Sequence, residues 1–314
     1  MLEEVLAGLS LPQKQISPKF FYDRLGCELF ERICALPEYY PTRTELAIMR
    51  AHAPAMARAL APRCVLIEIG CGNSEKTRLL LEAAQPLAFI PVDIAREQLE
   101  ASCRVIADAF PGMAVVAVRA DFSGFLQLPL DQSMEGARRV LYFPGSTIGN
   151  FTPEDAREFL RRWAPQLGRG GAALIGVDLK KDPRLLDAAY DDAQGVTAQF
   201  NLNVLRHINA ALGARFDPAA FRHRARYVEA RGRVEMHLES LRHQQVQLGD
   251  RMIELRAGET IHTENSCKYS IAEFQELAAE AGFEARECWT DDASLFAVHY
   301  LVVADAAGTA APSR

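Results

Sequence analysis

The middle of the chain alternates between two hydrophobic periods, and this alternation restricts the possible folds more than any other feature. Largely apolar runs predict buried strands at Cys64–Gly70, Leu87–Asp93, Ala114–Asp121, Arg139–Gly145 and Ala172–Asp178. Segments with helical spacing lie between them, at Glu75–Ala84, Ala95–Phe110 and from the capping residue Thr152 to Gly168. Strands that alternate with helices predict an α/β fold with a parallel sheet covered on both faces.

The alternation stops after Asp178, which predicts a second lobe. Residues Lys180–Leu212 have helical spacing with no strand, and Phe221–Lys268 contain several segments typical of antiparallel strands. The pattern then predicts elements that can rejoin the first sheet as a helix and an antiparallel hairpin: Ser270–Ala281 with a capping box, Phe283–Trp289 and Leu295–Val303.

Composition and charge exclude several classes of protein. The 314 residues are 49% hydrophobic and 24% charged, which excludes intrinsic disorder. Apolar stretches such as Leu295–Ala304 are far shorter than the ~20 residues of a membrane span. A net charge of −6 without a basic block argues against a nucleic-acid partner. Seven cysteines without C-x-x-C spacing, and no signal-peptide pattern, predict a cytoplasmic protein with reduced thiols and no metal site.

The carboxyl ends of the predicted strands carry residues that suit a nucleoside ligand. Gly70 and Gly72 end the first strand, but the third glycine of a dinucleotide fingerprint is missing. Asp93 ends the second strand, where an acid can accept both ribose hydroxyls. Asp121 and Phe122 end the third strand, where the acid can accept an exocyclic amine and the ring offers an aromatic face beside it. We therefore expect S-adenosylmethionine as the cofactor. The alternative is a plain strand–helix turn, with both acids as helix caps.

Six motifs resemble the L-histidine Nα-methyltransferases of ergothioneine biosynthesis: Ser17–Asp23, Leu36–Glu45, Gly70–Arg78, Gly145–Pro153, Tyr190–Thr197 and Thr263–Ser266. These enzymes convert histidine to trimethylhistidine (hercynine) with three molecules of S-adenosylmethionine. The resemblance implies a Rossmann-like class I methyltransferase sheet with a second, smaller α+β substrate-binding lobe. The implied bounds are 45–180 with 269–304 for the methyltransferase domain, 1–44 with 181–268 for the lobe, and 305–314 for a flexible tail.

The resemblance also implies a role for each residue that matches the family motifs. Tyr22 would act catalytically at the amine and touch the cofactor, with Gly145 beside the amine. The substrate carboxylate would be held by Asn150 and Tyr190, and the imidazole by Tyr39, Glu264 and Ser266. The remaining matches are the pocket walls Phe30 and Met236 and the cofactor contacts Gly70 and Lys76, whereas Asp93, Asp121 and Phe122 are the cofactor contacts that the strand ends predict.

Chemistry supports the imidazole group in particular. Glu264 and Ser266 are two residues apart, so on a strand they point to the same face. A carboxylate accepts an imidazole N–H, whereas a hydroxyl gives or accepts a hydrogen bond, and this mixed set matches the two unlike ring nitrogens.

Alternatives remain open at the level of the sequence. The same chemistry could act on another aromatic amino acid such as tryptophan, or the chain could be a non-catalytic cofactor-fold protein. Glu264 alone would suit a solvated acid on an edge strand, Tyr22 a core aromatic, and Lys76 a solvated lysine of a first helical turn. The oligomeric state, a monomer included, is left undetermined.

Overall fold

The computed structural model describes residues 1–60, 63–70, 75–122, 124 and 126–305. Its strands are β1 Lys14–Gln15, β2 Val65–Ile69, β3 Ala88–Asp93, β4 Ala114–Val115, β5 Val118–Arg119, β6 Arg139–Phe143, β7 Ala172–Asp178, β8 Phe221–Val228, β9 Arg233–Ser240, β10 Gln244–Leu248, β11 Arg251–Leu255, β12 Thr260–Cys267, β13 Phe283–Thr290 and β14 Phe296–Val303. Its α-helices are α1 Leu2–Leu9, α2 Arg24–Cys34, α3 Tyr40–Leu60, α4 Glu75–Ala84, α5 Arg96–Ala109, α6 Pro153–Leu167, α7 Pro183–Tyr190, α8 Val196–Leu212 and α9 Ile271–Glu280.

Two compact units divide the chain. The lobe unit comprises Met1–Arg43 and Lys180–Lys268, and the sheet unit comprises Thr44–Leu179 and the chain from Tyr269 onward. No helix within the described ranges is long and apolar enough to cross a membrane.

The sheet unit is built on one sheet in the order β13-β14-β7-β6-β2-β3-β4, with β5 also paired to β3. Strands β2, β3, β6 and β7 run parallel, and β14 and β13 add the antiparallel hairpin that the sequence predicted. Every residue of β2 and β7 is buried, as expected for a sheet covered on both faces. This is the Rossmann-like class I methyltransferase fold, so the predicted fold class is confirmed.

The predicted third strand, Ala114–Asp121, is wrong as a single element. The structure has two short strands there, β4 and β5, and both pair with β3. Their residues are exposed or half-buried, so packing does not hold a long straight strand at this edge. Asp121 consequently lies in a loop two residues beyond β5.

Helix boundaries in the sheet unit follow the predicted caps. The Thr152 hydroxyl accepts the Asp155 N–H at 3.2 Å at the start of α6. At α9 the capping box is complete, because the Ser270 hydroxyl accepts the Glu273 N–H and the Glu273 carboxylate accepts the Ser270 N–H. Local sequence signals therefore fix where both helices begin.

The lobe unit contains a four-stranded sheet in the order β1-β12-β9-β8 and a separate hairpin of β10 and β11. Along β9 buried residues alternate with half-buried ones, so one face of this sheet points inward. Helices α7 and α8 pack on β8 and β9, and α2 packs on α8. The lobe is thus an α+β unit whose inner sheet face is covered by helices.

A β-bulge in β12 determines which of its side chains face inward. Ile261 pairs with the inward-facing Leu238, and the register shifts between His262 and Glu264, so that Glu264 pairs with the inward-facing Met236. Unbroken alternation from Ile261 would have turned Glu264 to the outer face. The extra residue at the bulge restores the inner position for Glu264 and, two residues on, Ser266.

Glu45 of α3 joins two parts of the sheet unit that the chain separates widely. Its buried carboxylate accepts the Gly145 N–H at 2.9 Å and pairs with the Lys76 ammonium at 2.5 Å. A Cβ at Gly176 would overlap the Glu45 carboxylate, so the glycine in β7 makes the room that this carboxylate needs. Glu45 therefore holds the turn after β6 against the first turn of α4.

We expect Glu45→Ala to lower the free energy of unfolding by about 3 kcal/mol, because one partner of a buried ion pair is removed and the other is left behind. Urea denaturation measures the change. Glu82→Ala, on the same helix as Lys76, is the control, since Glu82 is exposed and its ion pair with Arg78 is long, at 3.8 Å. This variant should lower the free energy of unfolding by less than about 1 kcal/mol. Equal losses in both variants would contradict the role given to Glu45.

Candidate functional site

The predicted cofactor residues lie at one edge of the large sheet. Gly70, Asp93 and Gly145 follow or end the neighbouring parallel strands β2, β3 and β6, so all three reach the carboxyl edge. Gly70 and Gly145 have φ of 74° and 75°, the left-handed conformation that favours glycine and turns the chain sharply away from each strand. The predicted Gly72 lies outside the described residues.

Asp93 makes the local contact that the helix-cap alternative predicts. Its Oδ1 accepts the Ala95 N–H at 2.8 Å, just before α5. The carboxylate is half-buried, and a carboxylate has two oxygens with about four acceptor positions, so this bond is compatible with a ribose diol. Asp121 is exposed, and the half-buried Phe122 packs its ring edge-on against Phe143 at 5.9 Å.

Glu68 is a residue of this edge that sequence reasoning did not assign. It is 1% exposed, and its Oε1 accepts the Thr77 hydroxyl at 2.5 Å. Burial raises the pKa of Glu68 to about 8, so the group carries its proton near neutral pH. Its Oε2 is buried without a partner among the described residues, and such an atom suits a polar ligand at this edge. The Glu in the motif Glu-x-Gly-x-Gly was the available signal.

Lys76 has a protein partner that the sequence did not predict. Its ammonium is bonded to Glu45, and its side chain is only 16% exposed, so it is not the solvated first-turn lysine of the alternative reading. An ammonium has three donors, and the pair with Glu45 uses one of them.

The remaining sheet-unit residues lie in the turn after β6. Gly145 and Ser146 both have positive φ, and the buried Ser146 hydroxyl accepts the Asp178 N–H at 2.9 Å, which joins the ends of β6 and β7. Non-glycine residues adopt this conformation rarely, and such strain is concentrated at functional sites. Asn150 follows within the same turn, half-buried at the end of the 3-10 helix Thr147–Asn150.

A connected set of aromatic rings assembles the predicted residues of the lobe unit. The Tyr22 ring lies edge-on to Phe30 at 5.9 Å, Phe30 lies 6.3 Å from Tyr39, and Tyr39 lies 6.1 Å from Tyr190. These residues come from the segment after the helical turn Pro18–Phe21, from α2, from the segment before α3, and from the end of α7. Tyr22 is half-buried, unlike the buried Phe20 and Phe21.

Glu264, Ser266 and Met236 lie on the inner face of the lobe sheet. Glu264 is 9% exposed and Ser266 4%, so the reading of Glu264 as a solvated acid is wrong. Burial raises the pKa of Glu264 to about 7, although the positive charge of Lys268 lowers it in part. Burial also raises the pKa of Tyr39, helped by the charges of Tyr190 and Glu264.

Hydrogen bonds fix the backbone at Tyr190 and in the segment that follows it. The buried His223 ring bonds the Tyr190 carbonyl through Nε2 at 2.9 Å and the Asn201 amide nitrogen through Nδ1 at 2.8 Å. Since the amide nitrogen donates, His223 is neutral with its hydrogen on Nε2, and burial lowers its pKa accordingly. Asp192 accepts the Val196 and Thr197 N–H groups and so fixes the start of α8 directly after this segment.

Lys268 is the second residue that sequence reasoning missed. It is 2% exposed, and its ammonium donates to the Tyr190 hydroxyl at 2.9 Å and to the Ser266 hydroxyl at 2.8 Å. These two hydroxyls are themselves 2.7 Å apart. Lys268 was missed because a lone lysine directly after a strand is usually solvated.

The lobe arrangement is suited to a small ligand with an aromatic ring and charged ends. Aromatic side chains, a carboxyl group that titrates near neutrality, two hydroxyls and a buried ammonium can satisfy a polar ring and an anion together. Within the described ranges no group of three or more His, Cys, Asp or Glu side chains is placed to hold a metal ion.

This chain is similar to known proteins that include a histidine methyltransferase. The histidine N-alpha-methyltransferase of Mycobacterium tuberculosis is 42% identical over 300 residues, which cover 93% of this chain and 92% of that protein. Ergothioneine biosynthesis protein 1 of Neurospora crassa is 33% identical over 88% of this chain, which spans 32% of that protein. A solved structure from Bordetella parapertussis has a TM-score of 0.51 at 16% identity, over 91% of this chain and 85% of that one, a likeness of fold alone.

The family model with the description "Histidine-specific methyltransferase, SAM-dependent" matches residues 1–303. That match covers both units, and it includes every residue discussed at the strand edge and in the lobe. The resemblance predicted from the six motifs is confirmed. The chain belongs to the S-adenosylmethionine-dependent, histidine-specific methyltransferases.

Proposed function

We propose that this protein transfers three methyl groups from S-adenosylmethionine to the α-amine of L-histidine, giving hercynine, a step of ergothioneine biosynthesis. Family membership supports the reaction class. The observation that carries the choice of substrate is the inward-facing pair Glu264 and Ser266, buried beside the aromatic rings of the lobe. An indole has one N–H and no ring acceptor, and a phenyl ring has neither, so either ring would leave part of this buried pair without a hydrogen bond.

The protein's tasks follow from the chemistry of the transfer. S-adenosylmethionine, when bound, supplies an electrophilic methyl group on a sulfonium centre. The chain must hold the amine nitrogen roughly 3 Å from that carbon and in line with the carbon–sulfur bond. As the carbon–nitrogen bond forms, sulfur keeps the electron pair of the broken bond. The amine must be neutral at attack, yet an α-ammonium has a pKa of about 8, so one proton leaves the amine for each transfer.

The roles of the substrate residues and of Gly70 and Lys76 are those that the resemblance implies, and those of Asp93, Asp121 and Phe122 follow from their places at the strand ends. Tyr22 and Gly145 would orient the amine, Asn150 and Tyr190 would hold the carboxylate, and Tyr39, Glu264 and Ser266 would bind the imidazole, with Met236 as a wall. For the cofactor, Asp93 would accept the ribose hydroxyls, and Gly70, Lys76, Asp121 and Phe122 would complete the site. The orphan Oε2 of Glu68 and the left-handed glycine turns fit a polar ligand at this sheet edge.

A further part of the proposal is supported by the thiols of Cys64, Cys103 and Cys288, which form no disulfide bond among the described residues. Free thiols persist in a reducing compartment. We therefore propose that the reaction takes place in the cytoplasm.

Mass spectrometry tests the reaction directly. We expect purified protein, S-adenosylmethionine and L-histidine to give a product heavier by three methyl groups. No methylated product, together with no thermal shift on adding S-adenosylhomocysteine, would favour a non-catalytic protein. Calorimetry in which tryptophan binds as tightly as histidine would instead favour a different amino-acid substrate.

Glu264→Gln should change the pH dependence of histidine binding. The pKa of Glu264 is raised to about 7, so its carboxylate is available to accept a ring N–H only above that pH. We expect the wild-type advantage over the Gln variant to grow to roughly 10-fold between about pH 6 and pH 8. Calorimetry with both proteins isolates this group, because the titration of histidine itself is common to both. A pH-independent ratio would contradict the assignment.

Glu264→Gln should also change how the free energy of unfolding depends on pH. In an unfolded chain the pKa of Glu264 would be about 4.3, so between that pH and about 7 the folded protein binds a proton that the unfolded chain does not. The free energy of unfolding therefore falls as pH rises through this window. Glu264→Gln should remove part of that decline, which urea denaturation at several pH values measures. An unchanged slope would mean that Glu264 ionises normally in the folded protein.

A further inference from the structure

Lys268 is a charged side chain in a place where charges are rarely found. It is 2% exposed and follows β12 directly, on the inner face of the lobe sheet. Its Nζ lies 2.9 Å from the Tyr190 hydroxyl, 2.8 Å from the Ser266 hydroxyl and 4.7 Å from the centre of the Tyr190 ring. Lysine is almost never fully buried without specific partners. Two of the partners here are residues proposed to contact the substrate.

The ammonium determines how the two hydroxyls use their hydrogens. An ammonium only donates, so both Tyr190 and Ser266 accept from Lys268. The two hydroxyl oxygens are 2.7 Å apart, so one of their two hydrogens lies between them. The other hydrogen is directed to a third partner. Lys268 thereby makes the pair present an O–H donor rather than a lone pair to a ligand.

The positive charge of Lys268 also favours a ligand that accepts a hydrogen bond. The positive charge sits directly behind these hydroxyls in a buried, weakly screened environment. Glu264 on the preceding strand β12 is a titratable neighbour whose ionised form Lys268 favours, and the Tyr190 hydroxyl contacts the ammonium directly from the end of α7. An O–H donor backed by a cation suits an anionic acceptor, and a carboxylate is the anionic group of an amino acid.

We infer that Lys268 is a specificity-determining positioning residue, which acts through the hydroxyl of Tyr190, the residue proposed to hold the carboxylate, to make the lobe selective for an amino acid with a free carboxylate. This inference rests on the proposed function. Glu264 would then bind the ring, whereas Lys268, without touching the substrate, would set the preference at its other charged end.

The test compares L-histidine with L-histidinamide, which has the same ring and amine but no carboxylate charge. Wild-type protein should bind histidine about 10- to 100-fold more tightly than the amide, as expected for hydrogen bonds to a charged group. In Lys268→Met, which keeps an unbranched side chain, we expect most of this preference to disappear, while Lys268→Arg should retain part of it. Because both ligands are measured on every variant, differences in their own protonation cancel.

Controls separate this role from a structural one. Lys14→Met removes another lysine of the lobe sheet, one that pairs with Glu259 instead, and should keep the full preference. S-adenosylhomocysteine should bind all variants equally. Equal weakening of histidine and the amide in Lys268→Met, or an unchanged preference, would overturn the inference. Failure of the wild-type protein to bind histidine at all would instead overturn the proposed function.

A double-mutant cycle covers the case in which the amide binds too weakly to measure. If Lys268 acts through Tyr190, the variant Lys268→Met/Tyr190→Phe should lose little more histidine affinity than Lys268→Met alone. Additive losses would show that the two residues act separately, and the inference would be wrong. If Lys268→Met does not fold, the same cycle is built on Lys268→Arg.

Discussion

Recognition in the lobe rests on two groups of opposite charge that are buried on the inner face of its sheet, Glu264 on β12 and Lys268 directly after it. Burying Glu264 and Lys268 takes both from water, and the raised pKa of Glu264 is the visible sign of that cost. Replacing buried charges by well-packed apolar residues is often neutral or stabilising, so stability does not explain why these two side chains are buried. The charges are therefore best understood as serving recognition, since a buried polar pocket rejects ligands that leave its groups unpaired.

The order of strands and helices in the sheet unit could be predicted because each element carries its own local signal. Strands β2 and β7 are continuous apolar runs, and α6 and α9 begin at side chains that cap them. The edge strands after α5 could not be predicted as well. Their residues are not fully buried, so the hydrophobic pattern that specifies a central strand is weak there.

Side chains that act through tertiary contacts were harder to predict than those at strand ends. Gly70 and Asp93 follow from the strand pattern, and the resemblance gave Glu264 and Ser266. Glu45 and Lys268 were missed, because a lone acid in a helix or a lone lysine after a strand is usually solvated. Only the fold brings Glu45 to Gly145, 100 residues away, and Lys268 to Tyr190, 78 residues away.

Because of the bulge in β12, the pairing register of this strand decides which of its side chains face inward. If the extra residue were absorbed into regular pairing, every following position would exchange faces, and Asn265 and Cys267 would replace Glu264 and Ser266 inside. Family members could thus diverge in ligand preference through substitutions that remove the bulge without changing the length of the strand, with no substitution in the pocket itself. Sequence alignments that place a gap freely in this segment would compare residues from opposite sides of the sheet.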